Sequence, residues 1–307
     1  MSKVVVIRFA AKTDTSGLNA EQYRLLLQNG LSALYENATP TQALLRLIPG
    51  GTVGLKTNCL TGRLNSTPTA LVDALAQLLI ESGIKENSII VWERSNRELT
   101  KAGYELNASS FGRRCLGTDT NGVGYSREFY SSGEVNSLVS RVLIDLVDHN
   151  INVPILKDHS IAGLSGGMKN MFGAIHNPNK YHMTNCDPYT AQVSNLTPLR
   201  TKHRLIVMDA VRVQYHGGPG FNTRHLVMYG GIIISADPVA ADSVGLKILE
   251  HYREQNGLPP LWKDHRPVKY LKTAEKLGLG VADENQIELN VLLVDQDGSA
   301  GPGELLT

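Results

Sequence analysis

The sequence predicts an α/β fold, a largely parallel sheet covered by helices. Short β-branched runs alternate with helix-length amphipathic segments along the chain, which is the pattern of strand-helix-strand units. Several of those runs are apolar at successive positions rather than at every second one, as expected of strands buried on both faces. Helix-start signals fall between the runs. At 307 residues the chain exceeds the usual size of one compact core, so it is expected to form one large unit or two closely packed lobes, 1–150 and 151–307.

The elements follow in order. Val4 to Ile7 reads as the first strand, and Asn19 with Gln22 three residues later opens a helix carrying Leu25, Leu26, Leu31 and Leu34. Thr52 to Leu55 is the second strand. Thr67 and Pro68 supply a cap and a first-turn proline for a helix with Leu71, Leu75, Leu78 and Leu79 on one face, ended by Gly83. Ser88 to Trp92, Ile151 to Leu156, Leu205 to Met208 and Leu226 to Ser235 are further strands, with helices expected at about 135–147 and 238–251. From Asn107 to Gly133 the periodicity lapses into glycine, serine and the Arg113-Arg114 pair, which predicts a hairpin or lid. A joint between two lobes would fall between this segment and Ile151.

Composition narrows the function. Hydrophobic residues make up 42% and charged residues 19%, an ordinary globular balance far from that of disordered chains. Lysine and arginine total 30 against 29 acidic residues, so no overall field attracts nucleic acid or anionic lipid. Cys59, Cys115 and Cys186 form no C-x-x-C pair, which argues against a disulfide framework, a thiolate zinc site or an iron–sulfur cluster on this chain. Any metal would need nitrogen and oxygen ligands. The N-terminal apolar run carries a charge and reads as a strand rather than a signal segment, and no run is a membrane span. A cytoplasmic location is therefore expected; export would require a leader preceding this sequence.

Four apolar runs end in polar or ionisable groups. Lys56 and Asn58 follow the second strand, Glu93 follows Val91-Trp92, Lys157 and His159 follow Pro154-Ile155-Leu156, and Asp209 follows Leu205 to Met208. Ligands of open α/β sheets bind outside the carboxyl ends of strands, so these groups are expected to converge on one crevice. The run Gly163 to Asn170, with Ser165, Gly166, Gly167, Lys169 and Asn170, resembles a glycine-rich turn entering a helix, where free amides and a lysine hold an anion. Its spacing is not that of a P-loop. His159, His176 and His182 match no zinc spacing; His159 and His182 are the better site candidates, His159 as a general base lowered by neighbouring cations and both as metal ligands. Gly217 and Gly218, in Tyr215 to Gly220, would let backbone approach a ligand. Asp237 before Pro238 is a natural helix cap, and Asp242 lies about 140° further round that helix.

The motifs LKTN at Leu55–Asn58, LKDH at Leu156–His159, MKNMFG at Met168–Gly173, the late His182, MDA followed by HGGPG, and SADPVAAD together resemble the bacterial and archaeal family called domain of unknown function 362. The resemblance runs from the second strand to Gly278–Gly280. Many members carry appended ferredoxin-type cysteines and are described as iron–sulfur associated; this chain lacks those cysteines, so electron transfer would need a separate redox partner protein. The segment HSIAGLSGGMK is also similar, over about two dozen residues, to nickel-dependent lactate racemase, in which a lysine at the place of Lys169 holds a nickel-pincer nucleotide and a later histidine is a ligand. His182 follows the lysine sooner here than in that family, and its upstream histidine-arginine motif is absent.

Three functions follow from these readings. The first is an enzyme-like protein that binds a small anionic substrate or cofactor, with a metal, between Lys56, Asn58, Glu93, Lys157, His159, Lys169, Asn170, His182 and Asp209, with His159 and Lys169 as the catalytic pair. The second is racemase- or epimerase-type chemistry at Lys169. The third is a non-catalytic metal- or ligand-binding accessory protein.

Overall fold

The Asn19 carboxamide accepts the Gln22 amide and the Gln22 side chain returns the bond to Asn19, so the first helix, α1 (Ala20–Leu34), begins where the capping box places it. In the computed structural model, which describes residues 1–11, 17–295 and 298–306, α1 lies on a sheet built by β1 (Ser2–Phe9), β2 (Val53–Thr57), β3 (Ile89–Glu93), β4 (Arg114–Gly117), β7 (His149–Val153), β8 (Ile155–His159), β9 (Gly163–Ser165), β10 (His203–Gln214), β11 (Leu226–Ser235), β12 (Ile287–Val294) and β13 (Ala300–Pro302). A separate hairpin pairs β5 (Tyr130–Ser132) with β6 (Val135–Ser137). The remaining α-helices are α2 (Pro40–Leu47), α3 (Thr69–Glu81), α4 (Asn96–Ala102), α5 (Gly167–Asn170), α6 (Tyr189–Ser194), α7 (Thr197–Lys202), α8 (Pro238–Gln255) and α9 (Tyr270–Lys276).

The sheet order is β13-β12-β1-β11-β10-β7-β2-β3-β4. From β4 to β10 all pairs are parallel. β11 is antiparallel to both of its neighbours, β10 and β1, whereas β1 and β12 are parallel. Strands from both sequence halves interleave, since β1 lies between β11 and β12. The fold is α/β, as the strand and helix patterning predicts.

Alternating strand residues feed two opposite faces. Val5, Leu55, Val91, Ile151 and Val207 pack with α1, α2 and α3 in one core, while Val6, Ile90, Trp92, Ile206 and Met208 join α5, α6, α8 and α9 on the other side. Every one of those side chains is almost fully buried, so both faces of the central strands contribute hydrophobic stabilisation.

Four local readings change. Residues 135–147 are not one helix: 135–137 form β6, and only Val142–Leu146 is helical, as a π turn. Val135 and Ser137 are both buried at period two, which is strand geometry. The segment 107–133 contains a true sheet strand, β4, whose Cys115 and Leu116 are buried beside β3; four residues flanked by arginine and glycine are too few to show a pattern. Thr67 does not cap α3, whose first turn has no side-chain cap. Instead its hydroxyl accepts the Asn58 amide at 2.9 Å and donates to the Val153 carbonyl at 2.6 Å, tying the ends of β2 and β7 together. Finally, β10 runs on to Gln214, which places Asp209 inside a strand rather than at its end.

The chain leaves β2 for β3 and β4 on one side and returns to β7 on the other, so β2 and β7 flank the point where the strand order reverses. The crevice outside their carboxyl ends is the place where such sheets bind ligands. Beyond β7, Pro154 breaks the strand and β8 re-pairs with β10 and β9. β8 is pinned from behind by fully buried Asp158, which accepts from Arg266 at 2.7 Å and from the Gly218 amide at 2.9 Å and lies 3.9 Å from the equally buried Arg253. Asp264 bridges the same two arginines. Removing one partner of a buried charged cluster leaves the others uncompensated. Asp158→Ala is therefore expected to destabilise the chain by about 3 to 5 kcal/mol, and Asp158→Asn by less, in urea unfolding followed through the buried Trp92; a loss under about 1 kcal/mol would remove this clamp from the account.

Candidate functional site

A cavity of about 150 Å³ opens at this switch point, lined by Asn58, Glu93, Lys157, His159, Ser165, Lys169, Asn170 and His182, with Arg94, Glu98, Phe172 and Pro219 completing its wall. Four strand ends converge here: β2 brings Asn58, β3 Glu93, β8 Lys157 and His159, and β9 Ser165.

Three lysines meet around it, and each is held differently. Lys56, fully buried behind the wall, pairs with Glu93 Oε1 at 2.7 Å and donates to the Thr57 carbonyl at 2.6 Å. Gly173 passes directly over that pair, where a Cβ would come within 2.7 Å of the carboxylate. Lys157 Nζ has three oxygen acceptors, Asn58 Oδ1 and Thr61 Oγ1 at 3.2 Å and the Asn65 carbonyl at 3.0 Å. An ammonium has three donors, so all of them are used. Lys169 Nζ has one hydrogen-bond partner, His182 Nε2 at 3.1 Å, and otherwise sits 3.6 Å above the centre of the Phe172 ring. Neither Lys157 nor Lys169 has a carboxylate within ion-pair distance among the described residues. Burial lowers Lys157 to about 7 and Lys169 to about 8.

The amides form a directed chain. Lys157 donates to Asn58 Oδ1, Asn58 Nδ2 to Asn170 Oδ1 at 3.2 Å, Asn170 Nδ2 to Asn152 Oδ1 at 2.7 Å, and Asn152 Nδ2 to the Gly167 carbonyl at 2.7 Å. Every carboxamide turns its oxygen toward the ammonium end, which fixes each amide's orientation.

The histidines take defined tautomers. His159 Nδ1 accepts the amides of Ile161 and Ala162, both at 3.1 Å, so the ring proton is on Nε2, which has no protein acceptor among the described residues. Burial, Lys169 and His182 together lower His159 to about 2. It is a neutral donor toward the cavity, not the general base that its position in the sequence implies. His182 Nδ1 donates to the Pro178 carbonyl at 3.2 Å, leaving Nε2 as a lone pair toward Lys169; burial and Lys169 lower it also. The two imidazoles stack with centroids 5.7 Å apart.

The glycine turn serves packing. The amides of Gly167 and Met168 are taken by Asp242 of α8 at 2.6 and 3.0 Å, so they are not free for an anion. A Cβ on Gly166 would meet that carboxylate, and one on Gly167 would meet Ile206. What the turn delivers is Lys169 and Asn170, facing the cavity from α5. Asp209 is not brought to the site: its carboxylate accepts from Tyr23 of α1 at 2.8 Å inside the core. Gly217 and Gly218 also lie off the cavity, Gly218 being pressed on the Asp158 backbone. The residues missed from sequence are Asn152, Thr61, Asn65, Phe172 and Asp242. Of these, Asn152 left a trace as a polar residue in a buried strand, Phe172 within MKNMFG and Asp242 within SADPVAAD, but none with its role.

The donor set does not fit a metal or a cluster. Among the described residues no group of three or more His, Cys, Asp or Glu is placed to hold a metal ion. The three cysteines are buried and unbonded, with their thiols pushed up by burial, whereas cluster ligation needs thiolates.

The model of a family described as domain of unknown function (DUF362) matches residues 53–247. The chain belongs to this family. The matched DUF362 region contains every residue lining the cavity, together with Asp242. A solved Thermotoga maritima protein, a structural-genomics target, is 14% identical with a TM-score of 0.41; the match covers 81% of this chain and 61% of that one. This chain thus spans less than two thirds of that protein. No curated protein matched. No helix among the described residues is long and apolar enough to cross a membrane.

A buried ammonium without a counter-charge costs stability. Lys169→Met keeps the stem on Phe172 and removes the charge, so it is expected to raise stability by about 1 kcal/mol or more. A lysine whose folded value drops to about 8 from 10.5 is penalised in full below pH 8, and the penalty fades as pH rises toward the unfolded value. The gap between variant and parent should therefore narrow from pH 7 to pH 9 in thermal melts. A destabilised variant would overturn this view of Lys169.

Proposed function

We propose that the cavity binds a small anionic molecule, of the size of phosphate or a short carboxylic acid, and that the chain is an enzyme or enzyme-like ligand-binding protein on that basis. Lys169 carries the reading: a buried cation on a cavity wall that, among the described residues, meets only an imidazole lone pair and an aromatic face. Lys56 with Glu93 and Arg94 with Glu98 cancel as pairs at 2.7 and 2.8 Å, so below pH 7 the lining keeps the positive charges of Lys157 and Lys169. Lys169 offers the direct charge-assisted bond and Lys157 the field behind it. His159 Nε2–H and the Ser165 hydroxyl, which has no protein partner among the described residues, add neutral donors. The volume of about 150 Å³ equals that of about five waters at liquid density, which suits a small acid.

A resident divalent cation is not part of this proposal. Two neutral imidazole nitrogens would face it, one already accepting from Lys169 and the other protonated, with two ammonium groups nearby to repel it.

Binding requires protonated lysines, so affinity for phosphate or oxalate should be highest below pH 7 and fall as the pH rises through 8, with protons taken up on binding near pH 8. Titration calorimetry in buffers of different ionisation enthalpy reads both quantities. Lys169→Met should weaken binding about tenfold or more, since a hydrogen bond to a charged group is worth about 1.5–3 kcal/mol. Affinity unchanged by this substitution, or rising with pH, would sink the proposal.

A further inference from the structure

We infer that Lys169 is a nucleophile that forms an imine with the carbonyl carbon of a small 2-oxo acid whose carboxylate is held by His159 and Ser165. This rests on the anion-binding reading above and names the class of acid.

The three lysines around the cavity differ in what holds them. Lys56 is locked to Glu93, and Lys157 spends all three of its N–H bonds on oxygen acceptors. Neither amine has a lone pair to offer without breaking its bonds. Lys169 has one polar contact and borders the cavity, so its nitrogen can turn a lone pair toward a ligand while one N–H stays on His182. No carboxylate among the described residues holds it as an ammonium, and burial shifts it toward the neutral amine. A desolvated amine without a counter-ion is a usual setting of a Schiff-base lysine.

His182 stands where a proton must go. Its Nδ1 donates to Pro178, so Nε2 is a free base 3.1 Å from the attacking nitrogen. In the first step the Lys169 lone pair forms the C–N bond, the carbonyl π pair moves to oxygen, and one proton from nitrogen passes through His182 Nε2 to that oxygen, giving the neutral carbinolamine. In the second, the remaining N–H proton passes through His182 Nε2 to the carbinolamine hydroxyl, which leaves as water while the nitrogen pair forms C=N. No oxidant or reductant is consumed. The carboxylate requirement separates 2-oxo acids from simple aldehydes: a neutral carbonyl compound would leave the His159 Nε2–H and Ser165 hydroxyl donors without an anionic acceptor.

The test is reductive trapping of the whole protein with pyruvate and borohydride, read by intact mass and peptide mapping, beside calorimetry with oxalate, which mimics the acid but cannot form the imine. The expected result is a single adduct on Lys169, equal to pyruvic acid less one oxygen atom. It should be absent from Lys169→Arg, blocked by excess oxalate and increased as the pH rises from 7 toward 8.5, opposite to the anion affinity. His182→Gln should slow trapping at saturating pyruvate at least tenfold, beyond any change in oxalate affinity, which a purely structural histidine would not do. Oxalate binding that depends on Lys169 with no adduct, or adducts spread over surface lysines, overturns the imine and leaves the anion site standing. Absence of both oxalate binding and adduct overturns both.

Discussion

The carboxylate of Asp242, reaching from the second turn of α8 to the amides of Gly167 and Met168, is the contact on which the geometry of the cavity depends. α5 has only four residues and no capacity to hold itself, since a single turn satisfies almost none of its own amides. Asp242 supplies the missing acceptor, and the two preceding glycines exist to let its carboxylate and Ile206 come close. Once those amides are fixed, the next two residues have no freedom of direction. They are Lys169 and Asn170, and both face the cavity. A carboxylate that could have neutralised a lysine is instead spent on backbone, and the lysine keeps its charge.

How the remaining charge is tolerated explains the amide chain. Lys157 is almost fully buried and is held by oxygen dipoles rather than by an anion. Asn58, Asn170 and Asn152 each turn a carbonyl toward it and pass the opposite end of the dipole one residue further from the site, ending on the Gly167 carbonyl. That carbonyl belongs to the turn that Asp242 fixes by its amide. The two devices thus meet at one peptide, so the position of Lys169 and the solvation of Lys157 are set by a single piece of backbone.

The sequence showed the frame of this arrangement because strand ends are marked by a change from apolar to polar residues, and Lys56, Asn58, Glu93, Lys157 and His159 all stand at such changes. It misled at Asp209, where β10 continues as a buried strand and a tyrosine from α1, 186 residues away in sequence, supplies the partner. It misled at the glycines too. A glycine-rich turn with unpaired amides and one with amides claimed by a distant aspartate have the same local sequence, and only the packing of α8 tells them apart. His159 is the same case in reverse: its lone pair is taken by the turn directly after it, Ile161 and Ala162, a bond that depends on backbone conformation rather than on residue type. Tertiary partners chosen across 75 residues or more leave no periodic trace.

These contacts also explain why the cost at Lys169 persists. A buried charge ordinarily escapes by rotating to solvent or by local opening. Here the residue before it is bonded through its amide to Asp242, the residue after it is bonded to Asn152 and Asn58, and its amine sits over Phe172 and meets the one histidine lone pair within reach among the described residues. Movement would break several hydrogen bonds to relieve one unpaired charge. The fold therefore holds this unpaired charge in place on the cavity wall.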